Sequence, residues 1–447
     1  MSRTSQFSRR DFLKQGAAVV AMPYLIPSGV LAIDGQPGAN DRIGVAGIGI
    51  GRQGTGVLAS ALGLPECRFV AVADVNRKRA ESIAARHKGD AYQDFRKVLD
   101  RKDVDAIITA TPEHWRAYIC IAACQAGKDV YAEKPVSLTI REGRLMVQAA
   151  RKYKRIFQVG SQQRSEPIDR MGCEFVAGGG LGKISKILAM RYPSPFNCGL
   201  PGQPVPEELD WDMWCGPTDP VPYHPELYTP RGQPGWLSFR PYSGGEMTGW
   251  GAHGLDLIQY ALGMDDSGPT EIWVEGEKFD PPTITTPEKN LRANILCSNP
   301  AVFWRYANGA TIVMDEVFAK QEGKPAPKAP MFGGIFYGEK GTMTIDRGYV
   351  LSNPSAIAAE LNKDKGASNK DAHVVNWVDC IKSRKLPNAD IEIGHRTATV
   401  CHLGNIARWT NRKLRWDPER EIFPDDAEAN THLDRPRRKP YLLPERV

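Results

Sequence analysis

A short apolar segment, Arg42-Ile43-Gly44-Val45-Ala46-Gly47-Ile48, runs without a break into Gly49-Ile50-Gly51-Arg52-Gln53-Gly54 and then into a helical stretch over 55–62. Strand, glycine turn and helix in that order leave few folds open. The first glycine permits the tight turn, the second lets the backbone approach a pyrophosphate, and the third lets the helix sit close to the strand. The helix start then faces the phosphates with its unpaired N–H groups. A second apolar run over 69–73 ends at Asp74, twenty residues beyond Gly54, where a ribose-hydroxyl acceptor is expected. Gly49, Gly51, Arg52, Gln53, Gly54 and Asp74 are therefore candidate dinucleotide-binding residues. Asp74 favours NAD over NADP. Arg77, Lys78 and Arg79 follow it; they either meet a 2′-phosphate or form a solvated helix face, and the second is the expectation.

The alternation continues, with helices over 80–87, 94–99, 115–126 and 139–153 and strands over 104–110, 129–133 and 156–160. Strands separated by helices imply right-handed crossovers and a parallel sheet, and ligands on such sheets collect at the carboxyl ends of the strands. Thr111, Pro112, His114, Glu133, Lys134 and Gln162 all fall at or just beyond such ends, beside Gly49 and Asp74.

Composition narrows the function classes. With 447 residues, 41% hydrophobic and 25% charged, the chain reads as a soluble globular protein with room for two or three domains. Net charge is +6, but the first fourteen residues carry +3 (Arg3, Arg9, Arg10 and Lys14 against Asp11). The remainder is nearly balanced, which argues against nucleic acid as a partner. The nine cysteines contain no CxxC pair, and Cys120 and Cys124 lie in an apolar run. Neither a disulfide framework nor a metal site is expected. Ser8-Arg9-Arg10-Asp11-Phe12-Leu13-Lys14 precedes an apolar stretch broken by Pro23 and Pro27, with small residues near Ala32. That arrangement reads as a twin-arginine export signal over 1–32, too short for a stable membrane span, which implies passage of a folded protein through the twin-arginine machinery to the periplasm. A linker over 33–40 follows.

Glu133-Lys134-Pro135, Thr111-Pro112-x-His114 and the glycine turn together resemble the Gfo/Idh/MocA oxidoreductases. The resemblance extends through Leu209-Asp210-Trp211-Asp212-x-Trp214-x-Gly216-Pro217, Gly244-Gly245-x-Met247-Thr248-x-Trp250-Gly251-Ala252-His253 and Ile393-Gly394-His395-Arg396-Thr397. It implies an α/β protein: a Rossmann-type dinucleotide-binding domain over 41–165, then an α/β substrate and oligomerisation domain over 166–417 built on a large open, mostly antiparallel sheet. Candidate strands over 184–191, 271–275, 301–306, 310–317, 334–338 and 341–346 agree. A charged, proline-rich tail over 418–447 is expected to wrap over the surface. Between 193 and 241, Trp211, Trp214, Tyr223, Tyr228 and Trp236 either stack on sugar faces near a carbohydrate pocket or cover one face of the sheet.

The resemblance further implies hydride transfer between a secondary alcohol of a sugar, polyol or glycoside and NAD, with NADP the alternative, in a homo-oligomer. Lys134 matches the family lysine that bonds the reacting hydroxyl, and His253 matches its acid/base histidine; Trp250 joins them as a substrate-binding candidate. One position departs from the family pattern. Four residues before the histidine, where an Asp is usual, stands Gly249; Glu246 and Asp256 are the nearby carboxylates that can replace it. Two other functions stay open: NAD-dependent glycoside cleavage through transient sugar oxidation, and sugar binding without catalysis.

Overall fold

The order of the first six strands sets where a ligand can sit. In a computed structural model, which describes residues 41–229, 235–287, 297–315, 330–363, 366–369 and 371–447, these are β1 (Ile43–Ile48), β2 (Cys67–Ala73), β3 (Asp90–Tyr92), β4 (Ala106–Thr109), β5 (Asp129–Ala132) and β6 (Phe157–Val159). All pair in parallel, in the order β3-β2-β1-β4-β5-β6. The order reverses between β1 and β4, so the crossover helices leave to opposite faces and a crevice opens at the carboxyl ends. β1, β4, β5 and β6 are buried at every position, which is why they read as unbroken apolar runs rather than alternating ones. The expected export signal and linker, and the end of the strand expected over 310–317, lie outside the described residues.

Local chemistry sets the helix ends. The Asn76 side chain accepts from the Arg79 N–H at 3.0 Å and starts the helix Arg77–His87. Thr139 accepts from the Glu142 N–H at 3.2 Å and starts Ile140–Lys152. Arg52–Leu62 has Gly51 at its cap and no side-chain cap, so its first N–H groups point outward unsatisfied by side chains.

The second sheet is larger. Its strands are β7 (Ile184–Ala189), β10 (Glu271–Glu275), β12 (Ala301–Arg305), β13 (Thr311–Met314), β14 (Gly334–Gly338), β15 (Gly341–Asp346), β16 (Tyr349–Asn353) and β17 (Leu414–Arg415). The order is β16-β15-β14-β7-β13-β12-β10-β17, antiparallel except at β7 and β13. Its inner face packs Ile187, Trp304, Ile312 and Phe336 against helices Pro167–Ala177, Gly251–Ala261 and Ile391–Thr410. A small three-stranded sheet, formed by β8 (Phe196–Cys198), β9 (Phe239–Arg240) and β11 (Thr283–Ile284), supports an aromatic cluster and was not foreseen. Among the described residues no helix is long and apolar enough to cross a membrane.

One helix departs from the expected division of the chain. The helix Ala372–Ser383 falls within the 166–417 stretch, yet Val374, Trp377 and Val378 pack in the core of the first sheet with Val45, Ile108 and Tyr131. An amphipathic pattern names a buried face but not the sheet that it covers. The tail over 418–447, expected to wrap over the surface, is held by specific contacts. The Glu421 carboxylate accepts from Arg144 at 2.8 Å and meets the buried His395 ring at 2.6 Å. Arg435 and Arg437 both reach the buried Glu142 at 2.9 Å, and Tyr441 packs edge-on against Trp115 and Tyr118.

Candidate active site

A cavity of about 580 Å³ opens at the carboxyl ends of β1, β2 and β4. Gly49, Gly51, Arg52, Asp74, Thr111 and Pro112 line it, as the sequence suggested. Gly49 turns with φ of +65°, and a Cβ there would come within 2.2 Å of the Thr111 methyl group, so only glycine lets these two loops meet. A Cβ on Gly51 would meet nothing within 4 Å. That open space lies before the uncapped start of Arg52–Leu62, where a pyrophosphate fits. Asp74 is buried on the cavity wall, and burial pushes its carboxyl above the ordinary carboxylate range, against the pull of Arg79. Arg79 pairs with it at 3.3 Å and lines the cavity too. This corrects the expectation of a solvated face over 77–79: Arg77 pairs with Glu81 outside, while Arg79 turns inward because Asp74 draws it. The cradle fits an NAD.

The strand-end residues form a second layer. Glu133 accepts from Gln53 at 3.1 Å, from Gln162 at 2.8 Å and from the Lys134 N–H at 3.2 Å. One buried carboxylate thus ties together the glycine turn and the ends of β5 and β6. None of Gln53, Gly54, His114, Glu133, Lys134 or Gln162 lines the 580 Å³ cavity. His114 is turned fully away. It is buried, its Nε2 lies 2.8 Å from the Trp214 carbonyl, and burial pushes its pKa down to about 3. It therefore anchors the 211–215 helix as a neutral ring, rather than touching a cofactor. Arg116, which the sequence did not single out, donates to the carbonyls of Thr111, at 2.7 Å, and Pro135, strapping together the loops that carry Thr111 and Lys134.

Lys134 reaches the other domain. Its Nζ donates to the Gly249 carbonyl at 2.9 Å. That carbonyl is available because the helix breaks at Trp250: the His253 N–H goes to the Trp250 carbonyl at 2.9 Å. His253 is buried, and its ring packs edge-on against Phe332, which also meets Trp250. Of the two carboxylates weighed for the missing Asp, Asp256 is committed elsewhere. It is fully buried between Arg164, at 2.9 Å, and Thr397, at 2.8 Å. Glu246 instead lies beside the vacancy, with its Oε2 2.9 Å from where a Cβ on Gly249 would stand. A longer side chain three residues earlier fills the space that the glycine leaves.

The aromatic segment also finds its place. Trp214, Tyr228 and Trp236 line the dinucleotide cavity, and Trp211 stacks flat on Trp214 at 4.3 Å. Trp211, Trp214, Tyr223 and Trp236 pack in one cluster, apart from the core under the large sheet. Arg116, Phe332 and Glu113 were missed. Glu113 is fully buried in the helix Glu113–Gln125 and accepts from Ser243 at 2.6 Å and from the Gly244 N–H at 3.1 Å. Only its neighbours in sequence, Pro112 and His114, hinted at it.

Two family profiles match the chain. One, described as the oxidoreductase family's NAD-binding Rossmann fold, covers residues 42–161; the other, its C-terminal alpha/beta domain, covers 196–443. The chain belongs to the Gfo/Idh/MocA oxidoreductase family. Among curated members, a levoglucosan dehydrogenase from Pseudarthrobacter phenanthrenivorans is 31% identical over 25% of this chain and 29% of its own length. A glycosyl hydrolase family 109 protein from Saccharopolyspora erythraea is 30% identical over 34% of this chain and 39% of its own. The chain thus spans less than half the length of these relatives. The WlbA dehydrogenase from Bordetella pertussis, solved in complex with NADH and UDP-GlcNAcA, shares the fold, with a TM-score of 0.60 and 14% identity over 84% of this chain and 98% of that one.

Proposed function

We propose that this Gfo/Idh/MocA protein is an NAD-dependent oxidoreductase that moves hydride between a nicotinamide and a secondary alcohol of a sugar or polyol. The hydrogen bond from Lys134 to Gly249 carries the reading, because it joins the end of β5 to the helix start before His253. A bound nicotinamide supplies the hydride acceptor. The Lys134 ammonium donates to the alcohol oxygen and holds it in line. Its positive charge favours the alkoxide, and the His253 imidazole takes the proton. Glu246 takes the part of a carboxylate at 249, orienting the Lys134 ammonium and the His253 ring. Asp74 accepts the ribose hydroxyls and keeps Arg79 occupied, so NAD binds more tightly than NADP.

Mass spectrometry of the natively purified protein, followed by turnover on a sugar and polyol panel, tests the reading. Bound nicotinamide and an oxidisable polyol are expected, with Lys134→Ala losing roughly a hundredfold or more in kcat. No nicotinamide and no turnover overturns it. The similarity to a glycosyl hydrolase family 109 protein favours a second reading, glycoside cleavage with the cofactor returned to its starting state. Release of an aglycone without net NADH separates the two.

Export by the twin-arginine route to the periplasm is part of the same proposal, supported by Arg9-Arg10 and the apolar run behind them. Arg9→Lys with Arg10→Lys is expected to leave the protein in the cytoplasm on fractionation. So is a homo-oligomer, supported by Trp273, Phe303, Val313 and Leu188. These half-buried side chains stand in direct register across four strands of the large sheet. Light scattering of the full chain reads its mass.

A further inference from the structure

A second cavity, of about 100 Å³, lies where β9 and the loop after it meet helix Ile391–Thr410 and the tail. It shares no lining residue with the dinucleotide cavity. We propose that it is a binding site for a small tetrahedral oxyanion such as inorganic phosphate or sulfate.

Three groups on its wall carry the argument. The Arg240 guanidinium stacks over the Trp409 ring at 3.9 Å and has no carboxylate partner among the described residues. Its neighbours differ: Arg435 and Arg437 are held by Glu142, and Arg412 by Asp426 and Glu428. The buried indole N–H of Trp409 meets no acceptor among the described residues. The His432 ring, 5.6 Å from the Trp409 ring, makes no hydrogen bond among the described residues. The one acid on the wall, Asp434, is already engaged by Arg437 at 2.6 Å and Arg141 at 3.3 Å.

Three donor groups therefore gather at this cavity with no acceptor among the described residues: the exposed Arg240, the half-buried His432 and the buried Trp409 N–H. A buried donor is normally satisfied. Water fits the volume and accepts from these donors, and solvent reaches the exposed Arg240, but only an anion also brings a countercharge to it. An oxyanion answers all three, and a guanidinium whose face is stacked still offers its edge for paired hydrogen bonds. The volume of about 100 Å³ admits one tetrahedral ion. The walls adjoin the catalytic loops: Leu138 follows Lys134 by four residues, and Gly244 precedes Glu246 by two.

Calorimetric titration of the full chain with inorganic phosphate, sulfate and glycerol 3-phosphate, in saturating NAD, tests the site. NAD keeps the cradle beside Gly51 from taking the probe. Phosphate and sulfate are expected to bind with one-to-one stoichiometry and glycerol 3-phosphate more weakly. If glycerol 3-phosphate binds as tightly as phosphate, the enclosed single-ion site is wrong. Arg240→Gln should weaken phosphate about tenfold or more, the loss of a charge-assisted contact, while Arg240→Lys retains most of it; turnover without phosphate should be unchanged in both. Unaltered phosphate affinity in a folded Arg240→Gln, or no binding in the wild type, overturns the proposal. The variant comparison separates the two cavities whether or not the cofactor binds.

Discussion

Gly249 shows how one position depends on its neighbour. Because a Cβ there would stand 2.9 Å from the Glu246 carboxylate, Gly249→Asp sets two carboxylates against each other instead of restoring a missing one. We expect the single change to lower kcat/KM. Gly249→Asp with Glu246→Ala should recover activity, and Glu246→Gln alone should depress kcat about tenfold or more with little change in KM for NAD. Steady-state kinetics on an accepted polyol reads all three. Glu113 offers a test of a different kind. Burial pushes its carboxyl up to about 7, from an ordinary 4.5, although Arg116 and the Ser243 hydroxyl oppose this. A carboxyl raised in the fold holds its proton more tightly there than in the unfolded chain. Its contribution to stability is therefore complete below about pH 4.5 and lost as pH rises to about 7. The stability advantage of wild type over Glu113→Gln should shrink across that window by an amount on the order of 3 kcal/mol, then level off. Denaturant titrations at several pH values measure it. The glycine at 249 was visible in the sequence as a departure. Which carboxylate answers it was not, since Glu246 and Asp256 are both three residues or fewer from a site residue and only their partners separate them.

At the level of elements, the tail and the aromatic segment gained roles that their composition could not name. Arg435 donates to the His114 carbonyl at 2.8 Å, and Arg438 to the Gly216 carbonyl and to Asp212. The tail thus braces the same helix starts that support Trp214 and the cavity. Tyr441, 6% exposed and 5.1 Å from the Trp115 ring, is one of its buried anchors. Tyr441→Ala should cost about 2–4 kcal/mol, the range for a large buried side chain removed, as measured by urea unfolding. A loss under about 0.5 kcal/mol would mark a loose surface strap. Up to residue 160 the strands and helices were legible to within a few residues, except the three-residue β3, because strand-to-helix alternation and local caps are written in short windows. The strands β8, β9, β11, β16 and β17 were not, since strands of two to five residues carry too little pattern to separate from loop.

For the whole molecule, the dinucleotide cavity is walled by both parts of the chain: Gly51, Asp74 and Thr111 from the first sheet's loops, and Trp214, Tyr228 and Trp236 from beyond residue 200. Cofactor binding should therefore stabilise more than the first sheet. At free NAD one hundredfold above its Kd, the gain in unfolding free energy should be about 2.7 kcal/mol. Thermal unfolding should show one transition that shifts as a unit, whereas a shift confined to an early transition would mean that the rings beyond residue 200 add nothing. The sequence by itself determined the parallel sheet, the glycine cradle, Asp74 at the end of β2, and Lys134 with its motif, because each is encoded within about twenty residues by backbone geometry and apolar pattern. Tertiary structure alone decided that Arg79 faces inward, that His114 anchors Trp214, that Glu246 stands beside Gly249, and that the helix Ala372–Ser383 belongs to the first sheet. Those are pairings between residues far apart or between rival partners, and they are settled by burial and charge compensation that no local window contains.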